Sequence, residues 1–224
     1  MPPFFSVIIL TYNRRELLTR AIQSLRAQTF TDWEAIIIDD GSTDGTTDAL
    51  RPLLESDPRF RYQYQKNQGP GLARNAGIAL SRGTFITFLD SDDEYLPHHL
   101  EHRHGLLQQD PSLQFIFGGV EIIGDPYVAD RREPERRIHI NDCYPGGTFF
   151  IKRELAESVG GFSDMLYGDD TEFAVRVLAS GARALKCSEP TYRYFRTVPD
   201  SLCRIASESG MEGIKRYRKL TDHG

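Results

Sequence analysis

The fold class follows from the stretch Thr84-Phe85-Ile86-Thr87-Phe88-Leu89-Asp90-Ser91-Asp92-Asp93, in which an apolar run leads directly into three carboxylates. The apolar part is typical of a strand that is covered on both faces, as in a parallel sheet. Two carboxylates about 4 Å apart repel each other by about 4 kcal/mol at an effective dielectric constant of roughly 20. Stability alone does not account for such a cluster, which instead predicts a cation site.

The chain before this stretch repeats one pattern, an apolar strand followed by an amphipathic helix. Strands are predicted over residues 4–10, 35–38 and 59–64, and helices over 17–25, 44–54 and 71–80. Asn13, three residues before Glu16, resembles a capping signal for the first helix. This alternation predicts an α/β domain with a mostly parallel central sheet flanked by helices, whose ligand site lies beyond the carboxyl ends of the strands.

The rhythm changes in the second half of the chain. A helix is predicted near 97–109, a longer strand over 113–123, an irregular polar loop over 124–142 and a strand over 146–151, entered through Gly146 and Gly147. A short helix over 152–159 and another from Asp169 to just before Gly181 are predicted to follow. Loops on a rigid scaffold usually carry specificity, so the 124–147 region is expected to shape access to the site.

Composition limits the class of protein. The 224 residues are 39% hydrophobic and carry a net charge of −5, without a basic block that could follow a nucleic-acid backbone. Nucleic acid is therefore not expected as a partner. Cys143, Cys187 and Cys203 lack metal-site or disulfide spacing. With no apolar stretch near the roughly 18 residues of a membrane span, we expect a cytoplasmic protein, soluble or peripheral at the inner face of the membrane.

The C-terminal segment combines basic and apolar residues. Residues 206–224 form a predicted tail after a domain spanning 1–205, and within the tail 208–220 has the pattern of a basic amphipathic helix. A solvated terminal helix is the favoured interpretation, and peripheral contact with a membrane surface is the alternative.

Four polar groups are expected to meet at one edge of the predicted sheet. They are Thr11-Tyr12-Asn13, Asp39-Asp40-Gly41-Ser42, the Asp90–Asp93 cluster and Asp169-Asp170. A carboxylate at a strand end can accept hydrogen bonds from a nucleotide base or a ribose, and Mg²⁺ or Mn²⁺ is held by one or two carboxylates together with substrate phosphates. The combination predicts a metal-assisted nucleotide site.

Each of these groups alone also has a structural explanation. Asp39 and Asp40 can terminate a strand and begin a turn, and Tyr12 can be a core aromatic residue. Asp169 and Asp170 can stabilise the positive end of a helix dipole. Only their convergence on one crevice would favour a functional role.

Two other patterns point away from familiar sites. Gly69-Pro70-Gly71-Leu72-Ala73-Arg74 begins like a dinucleotide fingerprint but has Arg74 in place of the third glycine, and it does not follow the first strand. Arg74 and Asn75 are instead expected to face a nucleotide, where a guanidinium can meet phosphate. The His98, His99, His102 and His104 group is predicted to be a solvated helix face.

The order of the motifs closely resembles glycosyltransferase family 2. The matching segments are Ser6–Asn13, Gln28-Thr29-Phe30, Asp39–Asp44, Gly71–Gly77 and Phe88–Asp93, and the resemblance covers residues 4–200. It implies a Rossmann-like GT-A fold with a nucleotide-binding half over 1–123 and an acceptor-binding half over 124–205. It also implies a nucleotide-sugar donor, for which a UDP-sugar is expected, a carbohydrate or lipid-linked acceptor, a divalent cation (Mn²⁺ or Mg²⁺) and inversion at the anomeric carbon.

The resemblance also implies roles for individual residues. The residues that would bind the nucleotide are Thr11, Tyr12, Asn13, Asp40, Arg74, Asp90 and Ser91. Tyr12 would stack on the base, and Asp40 would bind the polar edge of the base. Asp92 would ligate the metal, Asp170 would be the catalytic base, and Gly146, Gly147, Thr148 and Asp169 would contact the acceptor or the transferred sugar.

The chain departs from the family pattern at one position. Many members carry Tyr-Arg-x-His late in the chain, whereas Tyr192-Arg193-Tyr194-Phe195 has a phenylalanine there. A third protein ligand to the metal is therefore in doubt, and Arg196 is a candidate to neutralise phosphate instead. A nucleotidyltransferase and a non-catalytic nucleotide-sugar-binding module are the competing interpretations, and Phe195 is the best support for the latter.

Overall fold

The computed structural model of the chain describes residues 1–130, 133, 135–165, 167–198 and 201–221, and the side chains of the last segment as far as Tyr217. The first half alternates strands and helices as predicted. Its strands are β1 (Phe5–Thr11), β2 (Trp33–Asp39), β3 (Phe60–Tyr64) and β4 (Phe85–Asp90). Its helices are α1 (Arg15–Arg26), α2 (Thr46–Ser56) and α3 (Pro70–Leu80).

The second half adds six strands, of which β6 and β10 are the longest in the described part of the chain, and four further helices. The strands are β5 (Glu94–Tyr95), β6 (Phe115–Ile123), β7 (Tyr127–Ala129), β8 (Arg137–His139), β9 (Phe150–Lys152) and β10 (Ala184–Phe195). The helices are α4 (His99–Gln109), α5 (Arg153–Ser158), α6 (Asp169–Ala179) and α7 (Leu202–Thr221).

The main sheet of the described residues has eight strands in the order β3-β2-β1-β4-β9-β6-β10-β5. The first four are parallel, as are β6 and β10, whereas β9 runs antiparallel to both of its neighbours. Thr11 is in register with Asp39, and Leu10 with Asp90. The α/β class with a mostly parallel sheet is confirmed, and the carboxyl ends of β1, β2 and β4 lie at one edge.

The side chains of β1 pack on both faces of the sheet, which explains why the strand is apolar from Val7 to Leu10. Phe5, Val7 and Ile9 pack in the cluster that contains the buried face of α1, while Ile8 packs on the opposite side with α3. Successive strand residues point to opposite faces, so a strand covered on both sides needs apolar residues at both. At Gly77 in α3, a Cβ atom would lie 2.4 Å from Ile8 Cγ2, so glycine permits this close approach.

Two predictions for the second half are wrong. The predicted loop over 124–142 contains the antiparallel pair β7–β8 and a 3₁₀ turn at Ile140–Asp142; its residues 131, 132 and 134 lie outside the described part of the chain. Gly146–Thr148 is also a 3₁₀ turn rather than the start of a strand, which begins at Phe150. The turn is closed by Thr148, whose Oγ1 donates to the Pro145 carbonyl at 2.7 Å and accepts from the Gly118 N–H at 3.0 Å.

Two local predictions also differ from the structure. Asn13 does not cap α1, because it adopts a φ of 51° and its Oδ1 accepts from the Thr43 N–H at 2.7 Å. His99 is fully buried rather than solvated, with Nδ1 2.8 Å from Thr191 Oγ1. Burial holds the pKa of His99 well below its usual value, so this ring is part of the packed interior.

The last helix crosses the predicted domain boundary between residues 205 and 206. It is interrupted at Gly210, which has φ 58° and ψ −161°. Ala206 and Ile214 are buried, while Lys215 and Arg216 are exposed, so apolar residues of α7 pack on the domain. Membrane contact by this tail stays a prediction, and residues 222–224 lie outside the description. No helix in the described part of the chain combines the length and the apolar character needed to cross a membrane.

Candidate active site

A cavity of about 590 Å³ opens at the carboxyl ends of β1, β2 and β4. It brings together most of the residues that the sequence singled out, from both halves of the chain. The predicted residues on its wall are Thr11, Tyr12, Asp40, Arg74, Asp90, Ser91, Asp92, Gly146, Gly147, Asp169 and Asp170. The convergence that the sequence required for a functional interpretation is therefore present.

Asp40, directly after β2, is held rigidly at one end of the cavity. Its Oδ1 accepts from Gln65 Nε2 at 2.7 Å and the Gln68 N–H at 2.9 Å, and its Oδ2 accepts from the Gly69 N–H at 2.8 Å. Burial raises the pKa of Asp40, while these hydrogen bonds oppose the rise. The carboxylate is thus oriented before any ligand arrives.

The neighbouring acid, Asp39, is a structural residue. Its side chain is fully buried and accepts hydrogen bonds from the Ser42 N–H at 2.8 Å and from the Tyr62 hydroxyl at 2.7 Å. The turn interpretation is thus right for Asp39, and Asp40 is the member of the pair that reaches the cavity.

Arg74 of α3 links the acids of the two halves. Its Nη1 lies 2.6 Å from Asp169 Oδ2, and its Nη2 lies 3.3 Å from Asp90 Oδ1. Burial lowers the pKa of Arg74, but the carboxylates of Asp169, Asp90 and Asp170 outweigh burial and raise it overall. Arg74 Nε is buried without a partner, so this guanidinium keeps an unsatisfied donor beside the cavity.

Asp170 lies in the first turn of α6, which begins after Gly168 in a left-handed conformation (φ 76°). Its Oδ1 accepts from the Thr171 N–H at 2.7 Å, and its Oδ2 accepts from the Gly146 N–H at 3.2 Å. Burial and the charge of Asp169 raise the pKa of Asp170 to about 6, although Arg74 opposes them. A carboxylate with this pKa is suited to accept a proton near neutral pH.

The acids after β4 have different surroundings. Asp92 Oδ2 accepts from Arg14 Nη1 at 2.5 Å, and its side chain is 12% exposed on the cavity wall. Burial raises the pKa of Asp92, although the positive charge of Arg14 acts to lower it. Asp93 is fully buried and accepts from the Tyr192 hydroxyl at 2.6 Å and the Phe195 N–H at 2.8 Å. Asp93 therefore joins β10 to the end of β4.

Two predicted site residues do not lie on the cavity wall. Asn13 is exposed, and its side-chain oxygen accepts a hydrogen bond from the Thr43 N–H. Thr148 is fully buried and its hydroxyl closes the turn described above. Asn75, expected to face a nucleotide, exchanges hydrogen bonds of 2.7 and 2.8 Å with the backbone of Phe162.

Phe195, at the position where the motif pattern has His, packs against an arginine. The Phe195 ring lies beneath the Arg20 guanidinium, whose Cζ is 4.0 Å from the ring centroid. Arg196, the candidate to neutralise phosphate, instead donates to the carbonyls of Asp125 at 3.4 Å and Tyr127 at 3.2 Å. Arg196 supports β7 and does not reach the cavity wall.

Other residues on the wall were missed by sequence reasoning. They include Arg14, Tyr144, Tyr167, Leu202, Cys203 and Tyr217. Arg14 could have been noticed, since it follows Asn13 at the end of the first strand. The remaining residues had no local signal, because only tertiary packing brings α7 and the loops that contain Tyr144 and Tyr167 to this cavity.

The donor set at Asp92 fits a divalent cation best when a bound ligand supplies further oxygens. Within the described residues, no group of three or more His, Cys, Asp or Glu side chains is arranged to hold a metal ion. Asp92 presents a carboxylate to the cavity, and Asp90 lies on the same wall. One or two carboxylates suffice for Mg²⁺ or Mn²⁺ when substrate phosphates supply the remaining oxygens.

Comparison with known proteins decides the family. Residues 6–164 match the model of glycosyl transferase family 2. This chain belongs to glycosyl transferase family 2. One family relative, the GalNAc(5)-diNAcBac-PP-undecaprenol beta-1,3-glucosyltransferase of Campylobacter jejuni, is 30% identical over 97% of this chain and 73% of its own length. An uncharacterized glycosyltransferase of Nostoc sp. is 47% identical over 43% of this chain and 30% of its own.

Solved structures show that this family 2 chain has the GT-A fold. S. aureus TarS 1-349 in complex with UDP-GlcNAc superposes with a TM-score of 0.75 at 20% identity. The superposition covers 99% of this chain and 65% of the TarS 1-349 chain. The mannosyltransferase PcManGT from Pyrobaculum calidifontis, in complex with GDP-Man and Mn²⁺, gives 0.73 at 21% identity, with coverage of 98% and 65%. The chain thus spans about two thirds of these structural relatives.

Proposed function

We propose that the chain is the catalytic domain of an inverting glycosyltransferase that moves a sugar from a nucleoside diphosphate donor to an acceptor hydroxyl in glycoconjugate synthesis. The observation that carries the proposal is a single cavity lined by Asp40, Asp92 and Asp170. Membership of glycosyl transferase family 2 supports it. The three acids differ in their surroundings, which suits the separate tasks of base recognition for Asp40, cation binding for Asp92 and proton transfer for Asp170.

The donor is proposed to bind along β1, β2 and β4. Its base would stack on Tyr12, beside Thr11, and hydrogen-bond to the oriented carboxylate of Asp40. The ribose would lie near Asp90 and Ser91, and Arg74 would approach the phosphates. We favour a UDP-sugar, since TarS 1-349 is found in complex with UDP and UDP-GlcNAc. PcManGT is in complex with GDP-Man, so the donor assay must include GDP-linked sugars.

A divalent cation is proposed at Asp92, as the fit of the donor set allows. Asp92 would hold it together with the diphosphate oxygens, and Asp90 is the second carboxylate on that wall. When bound, such a cation neutralises negative charge on the leaving diphosphate. The Mn²⁺ in the PcManGT complex supports the choice of metal.

The chemical step is assigned to Asp170. Its carboxylate would take the proton of the acceptor hydroxyl as that oxygen forms a bond to the anomeric carbon of the donor. The bond from the anomeric carbon to the phosphate oxygen would break, its electron pair leaving with the diphosphate, and attack from the opposite face would invert the configuration. Hydrogen bonds from Gly146 and Thr171 hold the carboxylate in place for this transfer.

The two halves are proposed to divide the substrates. Residues 1–123 would bind the donor, while residues 124–205, with Gly146, Gly147 and Asp169 on the cavity wall, would bind the acceptor and the transferred sugar. The acceptor is proposed to be a glycan or a lipid-linked glycan, a choice supported by the undecaprenol in the name of the Campylobacter relative. Such an acceptor would bring the protein to the inner face of a membrane.

A donor panel tests the proposal. Thermal shifts with UDP-, GDP- and TDP-sugars in the presence of Mn²⁺ identify the donor, and release of nucleoside diphosphate with an acceptor extract measures transfer. We expect one donor class to stabilise the wild type and to be consumed, while Asp170→Asn binds it without turnover. Binding with no transfer by the wild type would favour the binding module, and release of pyrophosphate would favour a nucleotidyltransferase.

A further inference from the structure

Arg14 has a position that the family resemblance does not explain. It is the N-cap residue of α1, directly after the segment that follows β1, and has φ −133° and ψ 38°. Its guanidinium lines the cavity, is 14% exposed, and places Nη1 2.5 Å from Asp92 Oδ2. The carboxylate proposed to meet a divalent cation is therefore already paired with a protein cation.

The backbone of Asp92 is held separately from its carboxylate. Arg20, which lies in α1, donates from Nη2 to the Asp92 carbonyl at 2.5 Å. Arg20 also pairs with Glu94 Oε1 at 3.1 Å and stacks on Phe195. Because Arg20 anchors the main chain, Arg14 can leave the carboxylate without releasing the strand end.

The negative charge of the cavity wall favours movement of Arg14 towards a bound diphosphate. Carboxylic side chains far outnumber arginines among the described lining residues. Arg74 and Arg176 are paired with Asp169 and Glu172, two acids in the second half of the chain, with N–O distances of 2.6 Å in both pairs. A diphosphate entering this acidic cavity needs cations on the side of Asp92, and Arg14 lies there.

We propose that Arg14 is an exchangeable counter-ion, which holds Asp92 while the donor is absent and turns to the donor diphosphate when a divalent cation takes the carboxylate. This inference rests on the proposed function. A metal ion held by Asp92 would lie close to a guanidinium that donates to the same carboxylate, and two cations at that separation repel each other. Arginine suits the second position, since its planar fork matches phosphate oxygens and its long side chain spans both.

The exchange makes opposite predictions for the metal and for the nucleotide. Removing the competing charge by Arg14→Gln is expected to tighten Mn²⁺ binding without nucleotide by about tenfold or more, the factor expected for one charge-assisted hydrogen bond. The same variant is expected to bind UDP about tenfold more weakly at saturating Mn²⁺, because the diphosphate loses a cation. If Arg14 had only a structural role, the substitution would not raise the affinity for Mn²⁺ while lowering the affinity for UDP.

Electron paramagnetic resonance of free Mn²⁺ measures the metal affinity without nucleotide, and calorimetric titration with UDP at saturating Mn²⁺ measures the nucleotide affinity, both on the intact chain. Arg15→Gln is the matched control, since Arg15 is the adjacent exposed residue, does not line the cavity and gives the same change in net charge. Arg14→Gln combined with Asp92→Asn is expected to lose the gain in Mn²⁺ affinity. Arg14→Lys, which keeps the charge without the fork, is expected to recover part of the UDP affinity.

Unchanged Mn²⁺ affinity in Arg14→Gln, or unchanged UDP affinity at saturating Mn²⁺, would overturn the exchange. A gain in Mn²⁺ affinity that persists without the Asp92 carboxylate would overturn it as well. Sugar transfer by the same wild-type preparation is scored separately with the donor panel. A failed exchange with active transfer therefore refutes only the role of Arg14, whereas absent transfer refutes the proposed function.

Discussion

Replacement of Asp170 by asparagine tests the proposed reaction most directly. The change keeps the size of the side chain and an oxygen that can accept from the Thr171 N–H, now 2.7 Å away. It removes the group proposed to take the acceptor proton, and general-base assistance contributes roughly 10²- to 10⁴-fold. We therefore expect kcat to fall by at least about 100-fold while the Kd for UDP with Mn²⁺ changes less than about threefold.

The pH dependence of the wild type supplies a second, quantitative test. Burial and the charge of Asp169 raise the pKa of Asp170 from 3.8 to about 6. The ionised fraction of such a carboxyl is roughly 97% at pH 7.5 and about 9% at pH 5. Since only the ionised form can accept a proton, kcat is expected to fall about tenfold over this range. An ordinary aspartate would remain almost fully ionised at pH 5.

The assay is release of nucleoside diphosphate at saturating donor and acceptor, between pH 4.5 and 8.5. Asp48→Asn provides the matched control, because Asp48 is an exposed acid whose carboxylate is paired with Arg51 on the protein surface. Circular dichroism checks that each variant is folded at each pH. Turnover of Asp170→Asn within tenfold of wild type, or an acid limb below pH 5, would refute the assignment.

Three further substitutions test the rest of the cavity. Asp40→Ala leaves three hydrogen-bond donors without their acceptor, so we expect UDP affinity by calorimetry to fall at least about tenfold; wild-type affinity would exclude Asp40 from base recognition. Gly147→Ala places a Cβ 2.2 Å from the Tyr192 hydroxyl oxygen and should lower the free energy of unfolding in urea by about 1–3 kcal/mol, whereas an unchanged midpoint would contradict the packing. Chelation of Mn²⁺ should weaken UDP binding to the wild type but not to Asp92→Asn, and an equal loss in both would remove Asp92 as the ligand.

The first half of the fold was predictable because its signals are local. A strand covered on both faces is mostly apolar on both, so β1, β2 and β4 appear as apolar runs, each with one buried polar residue in its interior: Ser6, Glu34 and Thr87. The helices between them show one apolar face at helical spacing. Parallel connectivity then placed Asp40 and Asp92 at the same edge of the sheet, which the structure bears out.

The second half was less predictable because its geometry depends on distant partners. The antiparallel β9 lies between β4 and β6, and the turn before it, closed by its own Thr148, also depends on contacts with the distant Gly118 and Tyr192. The same reason explains the misplacement of Thr148, whose hydroxyl is used within that turn.

The sequence by itself determined the α/β class, the family and the set of acids at the strand ends, since each depends on residue type and on order along the chain. Only the tertiary structure decided what each acid does. Asp92 meets Arg14 across 78 residues, while the adjacent Asp93 is sealed against β10. The raised pKa of Asp170 likewise comes from burial and the charge of Asp169, balanced by Arg74. Burial and charge pairing are properties of three-dimensional neighbours, which residue order does not specify.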